Sequence, residues 1–170
     1  TVVATVMSNI GFHQAAKEHG LRVEVASVGD RYVLEKMQAG GYSLGGEQSG
    51  HIIFGDLSTT GDGVLTGIQL LAALKSSGKK MSELAAVMIQ YPQLLINIRV
   101  QSKAGLDTNE AISAAVSASE AELVNNGRIL VRPSGTEPLL RVMAEGPDLA
   151  QLEELTGKIA DVVKQELGSN

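Results

Sequence analysis

The sequence predicts an α/β domain followed by a small α+β domain. Three observations carry that expectation. Short β-branched runs alternate with helix-patterned segments from Val2 to about Pro92, as in layered folds with largely parallel strands. The pattern then changes at LLINIRVQ, which alternates residue by residue as half-exposed antiparallel strands do. From there the order runs β-α-β-β-α, which suits a small sheet with helices on one face. We place the boundary between residues 92 and 93, giving domains 1–92 and 93–170.

The first domain opens with VVATVM, a short, nearly continuous apolar run that reads as a buried strand. Ser8-Asn9 leads into a helix, GFHQAAKEHG, closed by Gly20. RVEVASV sets Val23 and Val25 opposite Arg22 and Glu24 and reads as a second strand. Asp30 then caps a helix RYVLEKMQ, stopped by Gly40-Gly41. After a glycine-rich loop comes the strand HIIF. Asp62 caps a long helix, VLTGIQLLAALKSSG, with Leu65, Ile68 and Leu71-Ala72 on one stripe. A short helix, SELAAVMIQ, ends before Pro92. In the second domain, Ile96, Ile98 and Val100 share one face of the first strand. A helix from about Asp107 to Asn126 follows, with Gly127 as its C-cap. RILVR, the turn PSGTEP, LLRVMAEG and the helix DLAQLEELTGKIADVVKQEL complete the chain.

Composition narrows the class. Hydrophobic residues are 44 % and charged residues 19 % of the 170, enough apolar material for a core and too much for disorder. Aromatics are only 3 % and Trp is absent, so aliphatic residues and Met must build that core. Cys is absent, which excludes disulfides and cysteine-ligated metals. No apolar run approaches the roughly 20 residues that span a bilayer, so no membrane partner is expected. A net charge of −5 without a basic tract argues against nucleic acid as a partner. The chain starts with Thr rather than Met, which suggests a fragment or a processed chain.

Two loops carry chemistry. GGEQSGH, residues 45–51, sets Glu47, Ser49 and His51 among Gly45, Gly46 and Gly50. It is too polar for a core and too glycine-rich for a helix. Such a surface suits a ring of sugar hydroxyls, and a tight turn before a strand explains it equally. RPSGTEP, residues 132–138, is sharper. Ser134 and Thr136 offer hydroxyls, Gly135 admits a close backbone approach, and successive N–H groups can form an anion nest. Arg132 stands at one lip and Arg141 falls two residues into the next strand; guanidinium groups grip phosphate bidentately. The alternative is a polar hairpin in which those Arg residues pair with Glu137 and Glu145. In VGDRYV, Arg31 occupies a first helical turn, where a cation is mildly unfavourable unless it faces a ligand. No His, Asp or Glu spacing here reads as a metal site.

The two loops together, with VGDRYV, TTGDGVLTGIQLL and the final helix, resemble the α-D-phosphohexomutase family over essentially the whole chain. The likeness is nearest to its phosphoglucosamine branch; Gln48 stands where other branches usually have another residue, often Met. The family pattern has four domains, and this chain resembles the third and fourth. The resemblance implies a sugar-recognition domain, reading sugar through Glu47, Ser49 and His51, with Arg31 beside them. It also implies a phosphate-binding domain, gripping phosphate through Arg132, Ser134, Gly135, Thr136 and Arg141. It implies a phosphoserine enzyme in the cytoplasm that interconverts glucosamine 6-phosphate and glucosamine 1-phosphate through a 1,6-bisphosphate, toward UDP-N-acetylglucosamine and cell-wall synthesis. The catalytic serine and the aspartate loop that binds magnesium belong to the first two domains, and neither has a counterpart in these 170 residues. The expected partners are therefore a phosphosugar and the missing N-terminal domains, and this chain alone is expected to be inactive. Close alternatives are a phosphomannomutase/phosphoglucomutase and a non-catalytic phosphosugar-binding module.

Overall fold

The computed structural model describes residues 1–124 and 126–168. They form two compact units, one of residues 1–90 and one from Tyr91 onward.

The first unit is built on a four-stranded sheet in the order β2-β1-β3-β4. Its strands are β1 (Val2–Thr5), β2 (Val23–Ala26), β3 (Leu44–Gly46) and β4 (Ile52–Phe54). β1 lies parallel to β2 and β3, while β3 and β4 form an antiparallel hairpin. Val3, Ala4 and Thr5 of β1 are all buried, as a nearly continuous apolar run predicts for a central strand. Helices α1 (Ile10–Glu18) and α2 (Asp30–Gly40) follow the first two strands. α2 docks through Val33 and Met37, one turn apart and both buried. They reach so close to β3 that a Cβ on Gly45 would lie 2.6 Å from Met37 Sδ and 2.7 Å from Val33 Cγ1. This approach explains why β3 escapes a sequence reading: its glycines look like loop, yet a strand uses glycine where another element comes close.

Four expectations need correcting here. Asp30 is not the cap of α2. That position is Gly29, at φ 127°, and the Asp30 carboxylate accepts the Arg31 N–H at 2.8 Å. Val25 is exposed, and the buried position of the edge strand β2 is Ala26. α3 (Gly63–Ser77) is capped by Asp62 as expected, its carboxylate accepting the Val64 and Leu65 N–H groups at 2.8 and 3.0 Å. Its apolar stripe, however, has no fully buried residue: Ile68 and Leu71 are each more than half exposed, Ala72 is exposed, and only Leu65 is half-buried. Periodicity shows that a helix has an apolar face, and says nothing about what covers it. α4 (Met81–Ala85) is shorter than the segment SELAAVMIQ.

The second unit has a three-stranded antiparallel sheet in the order β5-β7-β6. Its elements are β5 (Gln93–Arg99), α5 (Glu110–Glu122), β6 (Arg128–Pro133), β7 (Leu139–Glu145) and α6 (Leu149–Leu167). Ile98, Leu140, Val142, Ala144 and Ile129 meet Leu152, Leu155, Ile159 and Val163 of α6, with Ile112 of α5. The α6 residues recur at helical spacing on one stripe. α5 starts later than expected, at a cap formed by Asn109 after a 3-10 turn at Leu106–Thr108. It also ends earlier, and the left-handed residue past its end is Val124, at φ 47°. Gly127 is therefore not a cap; a Cβ there would come within 2.3 Å of the Glu145 carbonyl oxygen. Asn125 of the expected helix lies outside the described residues.

The register sets Glu145 between Gln93 and Arg128. Its fully buried carboxylate accepts Gln93 Nε2 at 2.7 Å and Arg128 Nε at 2.6 Å. A buried charge stripped of its partner is costly. Arg128→Met should cost about 3 kcal/mol in urea unfolding. Lys164→Met, at an exposed ion pair, should show no resolvable change.

Candidate functional site

The β3–β4 hairpin closes over the five residues Glu47 to His51. The Glu47 N–H donates to the His51 carbonyl at 3.0 Å, and the Gly50 N–H to the Glu47 carbonyl at 3.1 Å. Gly50 takes φ 99°, a conformation that favours glycine. A Cβ on Gly46 would lie 2.9 Å from the His51 carbonyl oxygen, so that position also demands a glycine. Inside this turn the Glu47 carboxylate is the hub, with its side chain only 8 % exposed. The Ser49 hydroxyl donates to Oε1 at 2.7 Å, and the Gly29 N–H donates to Oε2 at 3.1 Å. His51 Nδ1 stands 3.1 Å from Oε1 and 3.0 Å from Ser49 Oγ. Burial opposes ionisation of Glu47, but bonds from Ser49, His51 and Gly29 outweigh it and hold the carboxyl below the usual glutamate range. Gln48 is tied to the sheet by the buried Thr5 hydroxyl, which donates to Oε1 at 3.1 Å. A cavity of about 380 Å³ opens beside the loop, bounded by Glu47 and Gln48, by Asn9 and Phe12, and by Val2 and Ile52 of the sheet.

The second loop joins β6 to β7. Their register puts Arg132 directly opposite Arg141, so the two guanidinium groups stand on one face of the sheet. Both Nε atoms are buried, and neither has a hydrogen-bond partner among the described residues. Burial pushes the Arg132 guanidinium below its ordinary value, and the Arg141 charge adds to that shift. Ser134, at the foot of the loop, is 2 % exposed. Its N–H donates to the Leu139 carbonyl at 2.9 Å, closing the neck. Its hydroxyl oxygen accepts from Arg141 Nη2 and from the Glu137 N–H, both at 3.4 Å. Its carbonyl accepts from Lys103 Nζ at 2.7 Å. Gly135 and Thr136 are exposed at the tip, and a Cβ on Gly135 would meet nothing within 4 Å. The N–H groups of these two residues have no partner among the described residues. Two arginines with unpartnered Nε donors flank a loop with two free backbone N–H groups and a hydroxyl, groups of the kind that bind an oxyanion.

The structure brings together Glu47, Ser49 and His51, and separately Arg132, Ser134 and Arg141. It does not bring Arg31 to the first group. That side chain is 80 % exposed and turns along α2, where Nε meets Glu35 at 2.8 Å. The alternative pairing of the loop's arginines is met in part: Arg141 Nη2 lies 3.6 Å from Glu137, but Glu145 belongs to Arg128. Sequence reasoning missed Gly29, Thr5 and Lys103. Gly29 acts through its backbone, and Lys103 sits in the unpatterned stretch QSKAGL, so neither carries a periodic signal.

Two family models match the chain. Residues 1–91 match the phosphoglucomutase/phosphomannomutase α/β/α domain III, and residues 95–162 match the phosphoglucomutase/phosphomannomutase C-terminal domain. The chain belongs to the phosphoglucomutase/phosphomannomutase family. Family relatives include a phosphoglucosamine mutase from Brevibacillus brevis, 61 % identical over 98 % of this chain and 37 % of that protein. A second, from Streptococcus suis, is 56 % identical over 99 % of this chain and 38 % of that protein. The chain thus spans little more than a third of these relatives' length. Among solved structures, Aspergillus fumigatus N-acetylphosphoglucosamine mutase in complex with GlcNAc-6P and magnesium superposes with a TM-score of 0.80. It is 18 % identical and covers 96 % of this chain and 38 % of its own. A phosphoglucomutase/phosphomannomutase family protein from Burkholderia thailandensis gives a TM-score of 0.71 at 20 % identity, over 99 % of this chain and 39 % of its own. At these identities the two structures show the family fold. Among the described residues no helix is long and apolar enough to cross a membrane.

The depressed Glu47 value has a consequence for stability. The folded-state value lies below the unfolded one, so the stabilisation is present above the ordinary glutamate range and is lost as pH falls through the depressed value. We expect Glu47→Gln to unfold at lower urea than the wild type near neutral pH. The gap should close as pH falls below the ordinary glutamate range.

Proposed function

We propose that this chain is the substrate-recognition part of a phosphoglucosamine mutase, an isomerase. The observation that carries the reading is the pair of buried, unpartnered Nε donors of Arg132 and Arg141, set opposite each other above the Ser134 loop. Two like charges at directly opposed positions repel, and an anion between them reverses that interaction. In this reading residues 93–170 grip the substrate's phosphate through Arg132, Ser134, Gly135, Thr136 and Arg141. Residues 1–92 read the sugar hydroxyls through Glu47, Ser49 and His51. Arg31 would have to leave Glu35 to take part. Identity of 61 % to a named phosphoglucosamine mutase supports the glucosamine substrate.

Turnover belongs to the full-length enzyme. There a phosphoserine outside this chain passes its phosphoryl group to glucosamine 6-phosphate. The 1,6-bisphosphate then turns over in the site and returns its other phosphate to serine, leaving glucosamine 1-phosphate. The phosphate grip serves both orientations of the sugar, because each presents one phosphate to it. Magnesium, in this reading, is held by the aspartate loop that the family resemblance places outside this chain. The remaining domains are the partner we assign to the exposed Val64, Ile68 and Leu71 of α3. A cytoplasmic location is part of the same proposal.

Calorimetric titration with glucosamine 6-phosphate tests it. The wild-type chain should bind, and Arg132→Ala with Arg141→Ala should weaken binding by about a hundredfold or more, the loss of two charge-assisted contacts. Equal affinity in the double variant would overturn the assignment of the grip. Tighter binding of mannose 6-phosphate or glucose 6-phosphate would overturn the choice of sugar and leave the grip standing.

A further inference from the structure

We propose that Lys103 is a positioning residue for the phosphate loop, acting through the Ser134 carbonyl. The inference rests on the phosphate reading of that loop and adds a residue to it. Lys103 lies 31 residues before Ser134 in sequence, yet its Nζ donates to the Ser134 carbonyl at 2.7 Å. Its side chain is half-buried rather than free in solvent. The segment that carries it is itself anchored. The Val100 N–H donates to the Pro138 carbonyl at 3.1 Å, and the Gln101 N–H to the Leu167 carbonyl at 2.9 Å. The chain just past β5 therefore holds the loop at both ends, at the carbonyl of its first residue and at the carbonyl of its last.

The consequence follows from peptide geometry. A trans peptide is planar, and its C=O and N–H point in opposite directions. The structure contains no cis peptide bonds among the described residues. Drawing the Ser134 carbonyl toward Lys103 therefore turns the Gly135 N–H the other way. That N–H is one of the loop's two unpartnered backbone donors. The same bond neutralises a carbonyl oxygen that would repel an anion, and it brings a third cation to the neighbourhood of Arg132 and Arg141. Lys103 thus sets the direction of a donor without contacting the anion.

Two variants and two readouts test this in the whole chain. Lys103→Met removes the donor and keeps the apolar stem; Lys103→Arg keeps a cationic donor. Inorganic phosphate is the probe for affinity. Amide chemical shifts of Gly135 and Thr136 report the loop without any ligand. In Lys103→Met we expect phosphate affinity to fall about tenfold, the scale of one charge-assisted hydrogen bond. The Gly135 amide resonance should move while those of β7 stay in place. Lys103→Arg should restore most of the affinity. Unchanged phosphate affinity and an unmoved Gly135 resonance in Lys103→Met would overturn the proposal. So would an affinity loss that tracks a general loss of amide exchange protection across β5, β6 and β7, because that marks a merely structural side chain. If the wild-type chain binds no phosphate, the phosphate reading falls; a Gly135 resonance that moves in Lys103→Met would still support the bracing role.

Discussion

The register of one hairpin governs the second unit. Five residues, Ser134 to Pro138, separate β6 from β7, and that loop length brings Arg132 to stand opposite Arg141. A slip of one residue would send each side chain to the other face of the sheet. The core on the far face, where Leu140, Val142 and Ala144 meet α6, forbids that slip. Packing on one side of the sheet therefore fixes a charge pair on the other. The pair is unfavourable by itself. Opposed like charges cost up to roughly 1 kcal/mol, and each buried donor left unpaired costs about 1–3 kcal/mol. The sheet absorbs that cost with thirteen cross-strand residue pairings and an apolar core, and in the proposed reading an anion relieves it.

The two loops differ in how their polar groups stand before any ligand arrives. Around Glu47 the groups satisfy one another: Ser49, His51 and Gly29 all bond the same carboxylate. A sugar hydroxyl there would exchange one set of hydrogen bonds for another, with little net gain in free energy and a sharp dependence on geometry. Around Ser134, two guanidinium Nε atoms and two backbone N–H groups have no partner to give up. In the proposed reading, affinity therefore comes mainly from the Ser134 loop, and discrimination among sugars from the Glu47 loop.

Much of this was legible in the sequence, and the failures share a cause. Glu47, Ser49 and His51 alternate along one short loop, and they do meet. RPSGTEP between two strand-like runs does fold as a hairpin with its arginines facing each other. The stripe of α6 shows plainly in its helical spacing. What stayed hidden depends on register or on distant backbone. Glu145 could not be assigned to Arg128 rather than to Arg132 or Arg141 until the strand pairing was known. Gly29 reaches Glu47 across 18 residues with an N–H that any residue would have, and is marked only by its φ. The apolar stripe of α3 was visible, but periodicity does not say what covers it.

The central claim is that Arg132 and Arg141 hold their Nε donors open for one shared anion. Nitrogen-15 spectra of the arginine Nε–H groups during a titration with inorganic phosphate test it directly. We expect both resonances to shift together, along curves with one dissociation constant, while Arg128, already bonded to Glu145, stays still. Movement of only one arginine, or of neither, would contradict a shared phosphate grip.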